Sequence, residues 1–172
     1  LPLTVGGWIE TIEEIRQLLM IGADKIIINT KAFEQPEFLE KSARTFGSQC
    51  IVVSIDVKKF ANSHKVFIDR GRVNTGLDVE DWSREVEKIG AGEIFLTSID
   101  NDGSRNGYDL DLMKKVSSSV KIPIIGFGGV WTWDHLVDGI LKGGLDAVGV
   151  GNVFHFKEHS TKQAKKYLLE KG

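Results

Sequence analysis

The chain has 172 residues, of which 41% are hydrophobic and 27% charged, the composition of a globular domain with a sizeable core. The formal net charge of -2 gives no reason to expect nucleic acid or an anionic membrane as a partner. No run approaches the roughly 18 apolar residues of a membrane span, and the first residues lack a signal-peptide pattern. The single Cys50 excludes an intrachain disulfide and suits a core thiol in a reducing compartment, so we expect a soluble, cytoplasmic protein.

Short apolar runs rich in Ile and Val alternate with amphipathic stretches, which predicts a parallel sheet with crossover helices. Six strands are predicted, at residues 3–5, 25–29, 50–56, 93–98, 122–127 and 147–151. Helices are predicted near residues 10–21, 35–46, 79–89, 109–119, 132–142 and 159–170. Because the strand runs are continuous rather than alternating, we expect strands that are covered on both faces.

The segment 50–76 does not follow this alternation of strands and helices. After the strand that ends at Asp56, the runs 66–68 and 73–76 flank the turn-like sequence of residues 69–72. This pattern predicts a small hairpin above the carboxyl end of the strand. Insertions on that side of a barrel lie beside the active site, so we expect the hairpin to shape or cover a pocket.

A repeat relates the beginning of the chain to its last third. Residues 2–33 and 123–154 share the order strand, Gly-Gly, helix, Gly-x-Asp, strand, and Gly6, Gly7, Gly22 and Asp24 recur 122 positions later as Gly128, Gly129, Gly144 and Asp146. A doubly wound sheet also fits six strand-helix units, but the repeat favours a (βα)8 TIM barrel made of duplicated half-barrels. Such a barrel needs about 250 residues, so we expect one α/β domain that covers about strands 3 to 8 and lacks the first two units.

Asp56 ends an otherwise apolar strand, where a carboxylate is costly unless it is exposed or hydrogen-bonded. Strand ends on that side of a barrel carry catalytic groups, and a partly desolvated Asp would have a raised pKa suited to proton transfer. A carboxylate that caps the following turn is an equally good interpretation. The sequence alone leaves both open.

Two kinds of polar segment follow the other strands. The stretch from Thr97 to Gly103 indicates a loop in contact with a polar ligand, although a turn rich in Asp, Asn and Gly explains it almost as well. Its Asp100 and Asp102 have no His or Cys nearby and make a weak metal signal, so no metal and no cofactor are predicted.

The Gly-Gly turns at Gly7 and Gly128 follow strands and precede helices, so their backbone N–H groups are suited to hold a phosphate, although tight turns also need glycine. The adjacent strands end in small or polar residues, namely Asn29, Thr30, Gly151 and Asn152. Two such sites on opposite sides of one mouth would suit a ligand with a phosphate at each end.

Several blocks of sequence together carry a resemblance to a known family. They are Thr4-Val5-Gly6-Gly7, Gly22-Ala23-Asp24-Lys25, Ile28-Asn29-Thr30, Phe46-Gly47-Ser48-Gln49-Cys50, Gly90-Ala91-Gly92-Glu93-Ile94, Thr97-Ser98-Ile99-Asp100, Asp102-Gly103 and Gly107-Tyr108-Asp109. In this order they resemble the cyclase subunit of imidazole glycerol phosphate synthase, over essentially the whole chain. The related isomerase of the same pathway shares the barrel and its duplication, but the blocks within Phe46–Cys50 and Thr97–Asp109 resemble the cyclase more closely.

The resemblance implies a lyase of histidine biosynthesis that takes ammonia from a glutaminase partner. Its substrate would be a bis-phosphorylated ribulosyl aminoimidazole carboxamide, and its products imidazole glycerol phosphate and the aminoimidazole carboxamide ribotide. Asp56 matches the catalytic aspartate on strand five of the family. The companion aspartate belongs to the first strand, so we expect the present chain alone to be inactive as a cyclase.

The resemblance also implies a set of phosphate- and substrate-binding residues, namely Gly7, Asn29, Thr30, Thr97, Asp102, Gly103, Gly128, Gly129, Gly151 and Asn152. Three departures lie among them. Trp8 stands in place of the third glycine of the first turn, Gly126-Phe127 precedes the second turn where Ala-Ser is usual, and Gly151-Asn152 replaces another Ala-Ser. These departures put the usual substrate in doubt.

The opposite end of the strands matches the family better. Lys25 and Glu93 start strands and match the charged gate through which the family passes ammonia, while Asp24 and Gln49 match positions that face the glutaminase. A simple salt bridge on the barrel floor is the plainer interpretation. This asymmetry supports a rival hypothesis, in which the chain resembles relatives that supply ammonia to a sugar amidotransferase in surface-polysaccharide biosynthesis.

Overall fold

The computed structural model describes residues 1–61, 63–151, 153–156 and 160–171. The elements in chain order are β1 (Thr4–Gly6), α1 (Ile12–Met20), β2 (Lys25–Ile28), α2 (Thr30–Glu34), α3 (Pro36–Phe46), a 3-10 turn (Ser48–Cys50), β3 (Ile51–Phe60), β4 (Ser63–Ile68), β5 (Val73–Asp78), α4 (Val79–Ile89), β6 (Glu93–Ser98), α5 (Leu110–Ser117), β7 (Ile124–Phe127), α6 (Trp133–Leu141), β8 (Ala147–Val148), α7 (Val153–Phe156) and α8 (Ser160–Lys171). No described helix has both the length and the apolar character that crossing a membrane requires.

Six strands form one parallel sheet in the order β1-β2-β3-β6-β7-β8, which is also their order along the chain. A doubly wound sheet would reverse its strand order at a switch point, and this sheet does not. The sheet curls, and the fold is α/β, consistent with part of a (βα)8 barrel. The predicted fold class is therefore confirmed.

Burial along the strands alternates, because the helices cover only one face of the curled sheet. Ile26, Ile28, Ile94 and Leu96 are at most 3% exposed, and they pack in the core cluster with residues of α1, α3, α4 and α5. The next residue on either side of each is half-buried and lies on the concave face. The expectation that both faces are covered holds at the start of β3, where three consecutive residues are buried, and is wrong for β2, β6 and β7.

The predicted hairpin is present and is longer than expected. β3 continues to Phe60, so that β4 pairs with its second half in antiparallel register, and β5 pairs in turn with β4. The turn from β4 to β5 has three consecutive left-handed residues, Asp69, Arg70 and Gly71. Its position is fixed by the backbone N–H of Asp69, which donates to Thr30 Oγ1 (3.0 Å), so the hairpin tip lies over the carboxyl end of β2.

The sequence repeat has a structural counterpart. The carboxylates of Asp24 and Asp146 accept from the backbone N–H groups of Leu3 (2.7 Å) and Ile124 (2.9 Å), which fixes the amino end of β1 and β7 respectively. In the turns that follow these strands, Gly7 and Gly128 have φ of 114° and 109°. The turns therefore match at 121 positions rather than 122, and the equivalent of Gly129 is Trp8.

Several element boundaries differ from the predictions. Cys50 belongs to the 3-10 turn and is half-buried rather than a core residue. Asn29 lies just beyond β2, because α2 begins at Thr30, and α2 and α7 were not predicted. β8 ends at Val148 rather than at residue 151. Short helices at strand ends leave no periodic apolar pattern from which they could be predicted.

Candidate active site

Asp56 lies on the concave face near the carboxyl ends of the parallel strands. Its Oδ2 accepts from Asn29 Nδ2 (2.9 Å), and Thr97 on β6 lies directly opposite it in register. Burial raises the pKa of the Asp56 carboxyl, although hydrogen bonds from Asn29, Thr97 and Ser54 oppose the rise. The group is held by neighbours on β3 and β6 and at the end of β2, and it can keep a proton closer to neutral pH than an exposed carboxyl can.

A cavity of about 540 Å³ opens beside Asp56. It is lined by Gly7, Asn29, Thr30 and Asp56, four of the residues that the sequence predicted for the site, together with Trp8, Ile9, Glu10, Ile27, Ile28, Lys31, Glu34, Ser54, Asp69 and Arg70. The structure thus brings the candidate catalytic group and the first glycine turn to one cavity. We call this cavity the first subsite.

The first glycine turn carries an unusual residue. Trp8 has φ of 56°, in the left-handed region that glycine adopts freely and that costs other residues about 1–2 kcal/mol. Its side chain is 75% exposed, and the guanidinium carbon of Arg70 lies 4.7 Å from the centre of the indole ring. The side chain has room here, whereas a Cβ at the equivalent Gly129 would approach the carbonyl oxygen of Gly107 to 2.1 Å.

A second cavity, of about 200 Å³, lies at the other glycine turn and is called the second subsite. Its lining includes the predicted residues Asp102, Gly103, Gly128, Gly129 and Gly151, together with Arg105, Phe127, Val130, Trp131, Gly149 and Val150. The predicted Asn152 lies outside the described residues. The first and second subsites contain separate members of the predicted set, and Thr97 lines neither of these two cavities.

Phe127 stands where the family that the chain resembles has a small residue. Its ring lies in space that neighbouring glycines leave free. Its ring is 5.5 Å from that of Phe95, and a Cβ at Gly149 or Gly151 would meet it at 3.0 Å or 3.5 Å. The large residue and the small residues around it are therefore complementary in volume. The ring lines the second subsite and narrows it.

The loop after β6 makes hydrogen bonds that stabilise the structure, and it also borders the second subsite. Asp100 Oδ2 accepts from the backbone N–H of Lys59 (2.7 Å) and ties the loop to the β3–β4 extension. The Asn101 amide donates to the carbonyl oxygen of Gly107 (2.9 Å), and the N–H of Asp102 donates to that of Ser98 (3.0 Å). These bonds hold Asp102 and Gly103 at the rim of the second subsite.

The predicted charged pair lies at the amino end of the same concave face. Lys25 Nζ donates to Glu93 Oε1, and the two residues begin β2 and β6, which flank β3 on either side. The pair thus spans β3, whose Val52 is in register with Glu93 and only 1% exposed. The side chains are 32% and 18% exposed.

The two remaining predicted interface residues lie near that end and are both exposed. The Asp24 carboxylate holds the amino end of β1 through Leu3, so this residue has a structural function whatever it contacts. Gln49 is in the 3-10 turn before β3, where its side chain folds over Gly47. Their contact with a partner subunit stays a prediction.

Sequence analysis missed Arg70 and Arg105 as site residues. Both are exposed arginines with positive φ, of 58° and 66°, in loops at the mouth of the sheet. The sequence Asp69-Arg70-Gly71 indicated only a turn, and nothing in the residues around Arg105 marked a special backbone conformation. The available signals were that the loop of Arg105 follows the parallel strand β6 and that Arg70 lies in the turn of the hairpin predicted above the carboxyl end of β3.

A curled parallel sheet with a partly buried carboxyl group and two glycine turns at its carboxyl edge defines a barrel-type enzyme site. The chain belongs to the family described as "Histidine biosynthesis protein", whose model matches residues 1–160. This family includes isomerase and cyclase enzymes of histidine biosynthesis.

Proposed function

We propose that this chain is the cyclase subunit of imidazole glycerol phosphate synthase. The observation that carries the proposal is Asp56, a carboxyl group with a raised pKa at the carboxyl edge of the sheet, beside the larger of the two glycine-turn cavities. A bis-phosphorylated ribulosyl aminoimidazole carboxamide would place one phosphate in each subsite. Its reacting carbons would then lie between them, in reach of Asp56.

Asp56 serves as the general acid and base of this reaction. Ammonia adds to the ribulose carbonyl, whose oxygen needs a proton before it leaves as water, and later steps return a proton during ring closure and carbon–nitrogen cleavage. A group whose pKa lies nearer neutrality than that of an ordinary Asp makes both transfers easier. Asn29 holds the carboxyl group in place through the bond to Oδ2.

Ammonia reaches Asp56 along the concave face. The Lys25–Glu93 pair lies at the amino end of that face and Asp56 and Thr97 at the other end, because alternate residues of β2, β3 and β6 point to the same side. A glutaminase docked at the amino end, against Asp24 and Gln49, delivers ammonia past the ion pair. Opening the pair is the gating step.

The test is ammonia-dependent conversion of the ribulosyl aminoimidazole substrate by the full natural chain and by its Asp56→Asn variant. We expect turnover by the wild type and a turnover rate at least about 100-fold lower in the variant. This is the lower end of the rate loss expected when a general acid or base is removed. Thr45→Val, on the exposed side of α3, is the matched control and keeps its activity. A folded full-length chain that does not turn over this substrate contradicts the proposal.

A second function is favoured by the residues at the glycine turns. Trp8 and Phe127 are both bulky where the resemblance has small residues, and both line a subsite. In that case the chain serves as an ammonia conduit for a sugar amidotransferase, and the amino-end ion pair matters more than Asp56. Ammonia transfer from the glutaminase that is insensitive to Asp56→Asn, together with no cyclase turnover, would establish this alternative.

A further inference from the structure

Both subsites contain an arginine stacked on a tryptophan, a pairing that the family resemblance did not include. The guanidinium carbon of Arg70 lies 4.7 Å from the ring centre of Trp8 in the first subsite, and that of Arg105 lies 3.9 Å from the ring centre of Trp131 in the second. Both arginines have positive φ. Two strained arginines at two related sites indicate a shared functional constraint.

Backbone N–H groups in the segments that lead into α1 and α6 already have side-chain acceptors. Glu14 accepts from the backbone N–H groups of Glu10 and Thr11 (both 2.9 Å), and these bonds lower the pKa of its carboxyl group. His135 Nδ1 accepts from the N–H of Trp131 (3.2 Å). A bound anion therefore finds fewer free backbone N–H groups in the segments that follow the glycine turns.

Charge at the first subsite also opposes an anion. Four carboxyl groups line it, those of Glu10, Glu34, Asp56 and Asp69, against the two cations Lys31 and Arg70. Lys31 Nζ lies 5.8 Å from the ring centre of Phe38. Arg70 is thus one of two cations that offset the negative charge of this lining where a phosphate would bind.

Stacking suits an arginine to this task. A guanidinium that lies over a ring keeps its N–H donors at its edge, in the plane, where they remain free to bind two phosphate oxygens together. The ring meanwhile restricts the long side chain, so less conformational freedom is lost on binding. Trp8 accordingly supports an anion ligand instead of filling the anion site.

We propose that Arg70 and Arg105, held on Trp8 and Trp131, bind the two phosphate groups of the ligand at opposite ends of the mouth. The identity of the ligand rests on the proposed function, whereas the two phosphate contacts do not. The arginine–tryptophan pairs supply side-chain donors to each phosphate. These donors replace part of the binding by backbone N–H groups, which the changed glycine turns provide less well. They make the chain selective for ligands with an anionic group at each end.

The test is a titration of the full chain with inorganic phosphate, followed by the NMR signals of the arginine Nε–Hε groups and of the indole N–H groups of Trp8 and Trp131, which report on each subsite when its arginine is replaced. Arg70→Lys and Arg105→Lys assign the two signals and keep the charge. We expect saturable shifts of both signals, and an affinity about tenfold weaker at the first subsite in Arg70→Lys, with the second subsite unchanged. Affinity that is unaltered by either lysine variant, or signals that do not shift, overturns the proposal.

Trp8→Gly distinguishes this proposal from the alternative that Trp8 blocks the phosphate site. The substitution gives the turn the residue that its backbone conformation favours, so the variant is expected to fold. Loss of the indole should weaken phosphate binding at the first subsite, because Arg70 is no longer held. Tighter binding would mean that Trp8 blocks the site and would overturn the proposal. Since no turnover is measured, failure of the cyclase assay and failure of these contacts are distinguishable.

Discussion

At the scale of single residues, Asp56 combines a chemical function with an expected cost in stability. Its carboxyl group is largely buried, and burial raises its pKa in the folded chain. The folded state therefore binds this proton more tightly than the unfolded state does, so the stabilising contribution is greatest in acid. It is lost as the pH rises through the folded-state pKa.

We therefore expect Asp56→Asn to stabilise the chain at pH 7 by about 1 kcal/mol and to change little at about pH 3, where the unfolded carboxyl is also protonated. Urea unfolding at the two pH values measures the difference. Asp111→Asn, at an exposed position in the first turn of α5, should stay within about 0.5 kcal/mol of the wild type. A variant that is less stable than the wild type at pH 7 would contradict this prediction.

At the scale of elements, two side-chain contacts hold the tip of the β4–β5 hairpin over the first subsite. The tip carries Asp69 and Arg70, and the N–H of Asp69 donates to Thr30 Oγ1 (3.0 Å). Lys58 Nζ donates to the carbonyl oxygen of Gly71 (2.8 Å). The position of Arg70 is thus set by α2 and β3 as well as by its own turn.

Thr30→Val removes the hydroxyl at nearly constant volume, and we expect the Asp69 amide to exchange its hydrogen about fivefold faster, since one neutral hydrogen bond contributes about 1 kcal/mol. Native-state hydrogen exchange measures the rate. Thr45→Val loses only a bond within its own helix, to the carbonyl of Lys41, and serves as the control. Unchanged exchange at Asp69 would show that the hairpin holds its place without Thr30.

At the scale of the whole molecule, the concave face links two separated groups. The Lys25–Glu93 pair lies at the amino end of the strands and Asp56 near the carboxyl end, and the half-buried residues between them lie on the same side of the sheet. The two groups therefore lie on one face of the sheet, at opposite ends. The proposed path for ammonia runs along this face.

We expect Lys25→Met to lower the ratio of glutamine-dependent to ammonia-dependent turnover in the complex with the glutaminase, because it breaks the ion pair at the entrance of that path. Both rates are measured on the same preparation. Lys88→Met, which breaks only an exposed pair with Glu85 on α4, is the control and keeps the ratio of the wild type. An equal ratio in both variants would argue against a gate at Lys25.

The sequence by itself determined the α/β architecture, because runs of Ile and Val and amphipathic helices impose their own periods. The repeat predicted related turns at Gly6-Gly7 and Gly128-Gly129, which the structure relates in a register shifted by one position, with Gly7 equivalent to Gly128. The sequence also placed Asp56 at the end of an apolar run, but the predicted strand end there is wrong, because β3 continues to Phe60. The chemistry of that carboxyl stayed open, because burial and neighbours on other strands set its pKa.

The tertiary structure alone decided which residues share a cavity and how the two subsites are charged. Asn29, Asp56 and Arg70 are distant in sequence and meet only because parallel strands end at one edge and the hairpin folds back over it. Arg70 and Trp8, which stack on each other, both have positive φ, and local sequence patterns do not specify that conformation for non-glycine residues. Periodicity is a local property of the chain, whereas a site is made of long-range contacts.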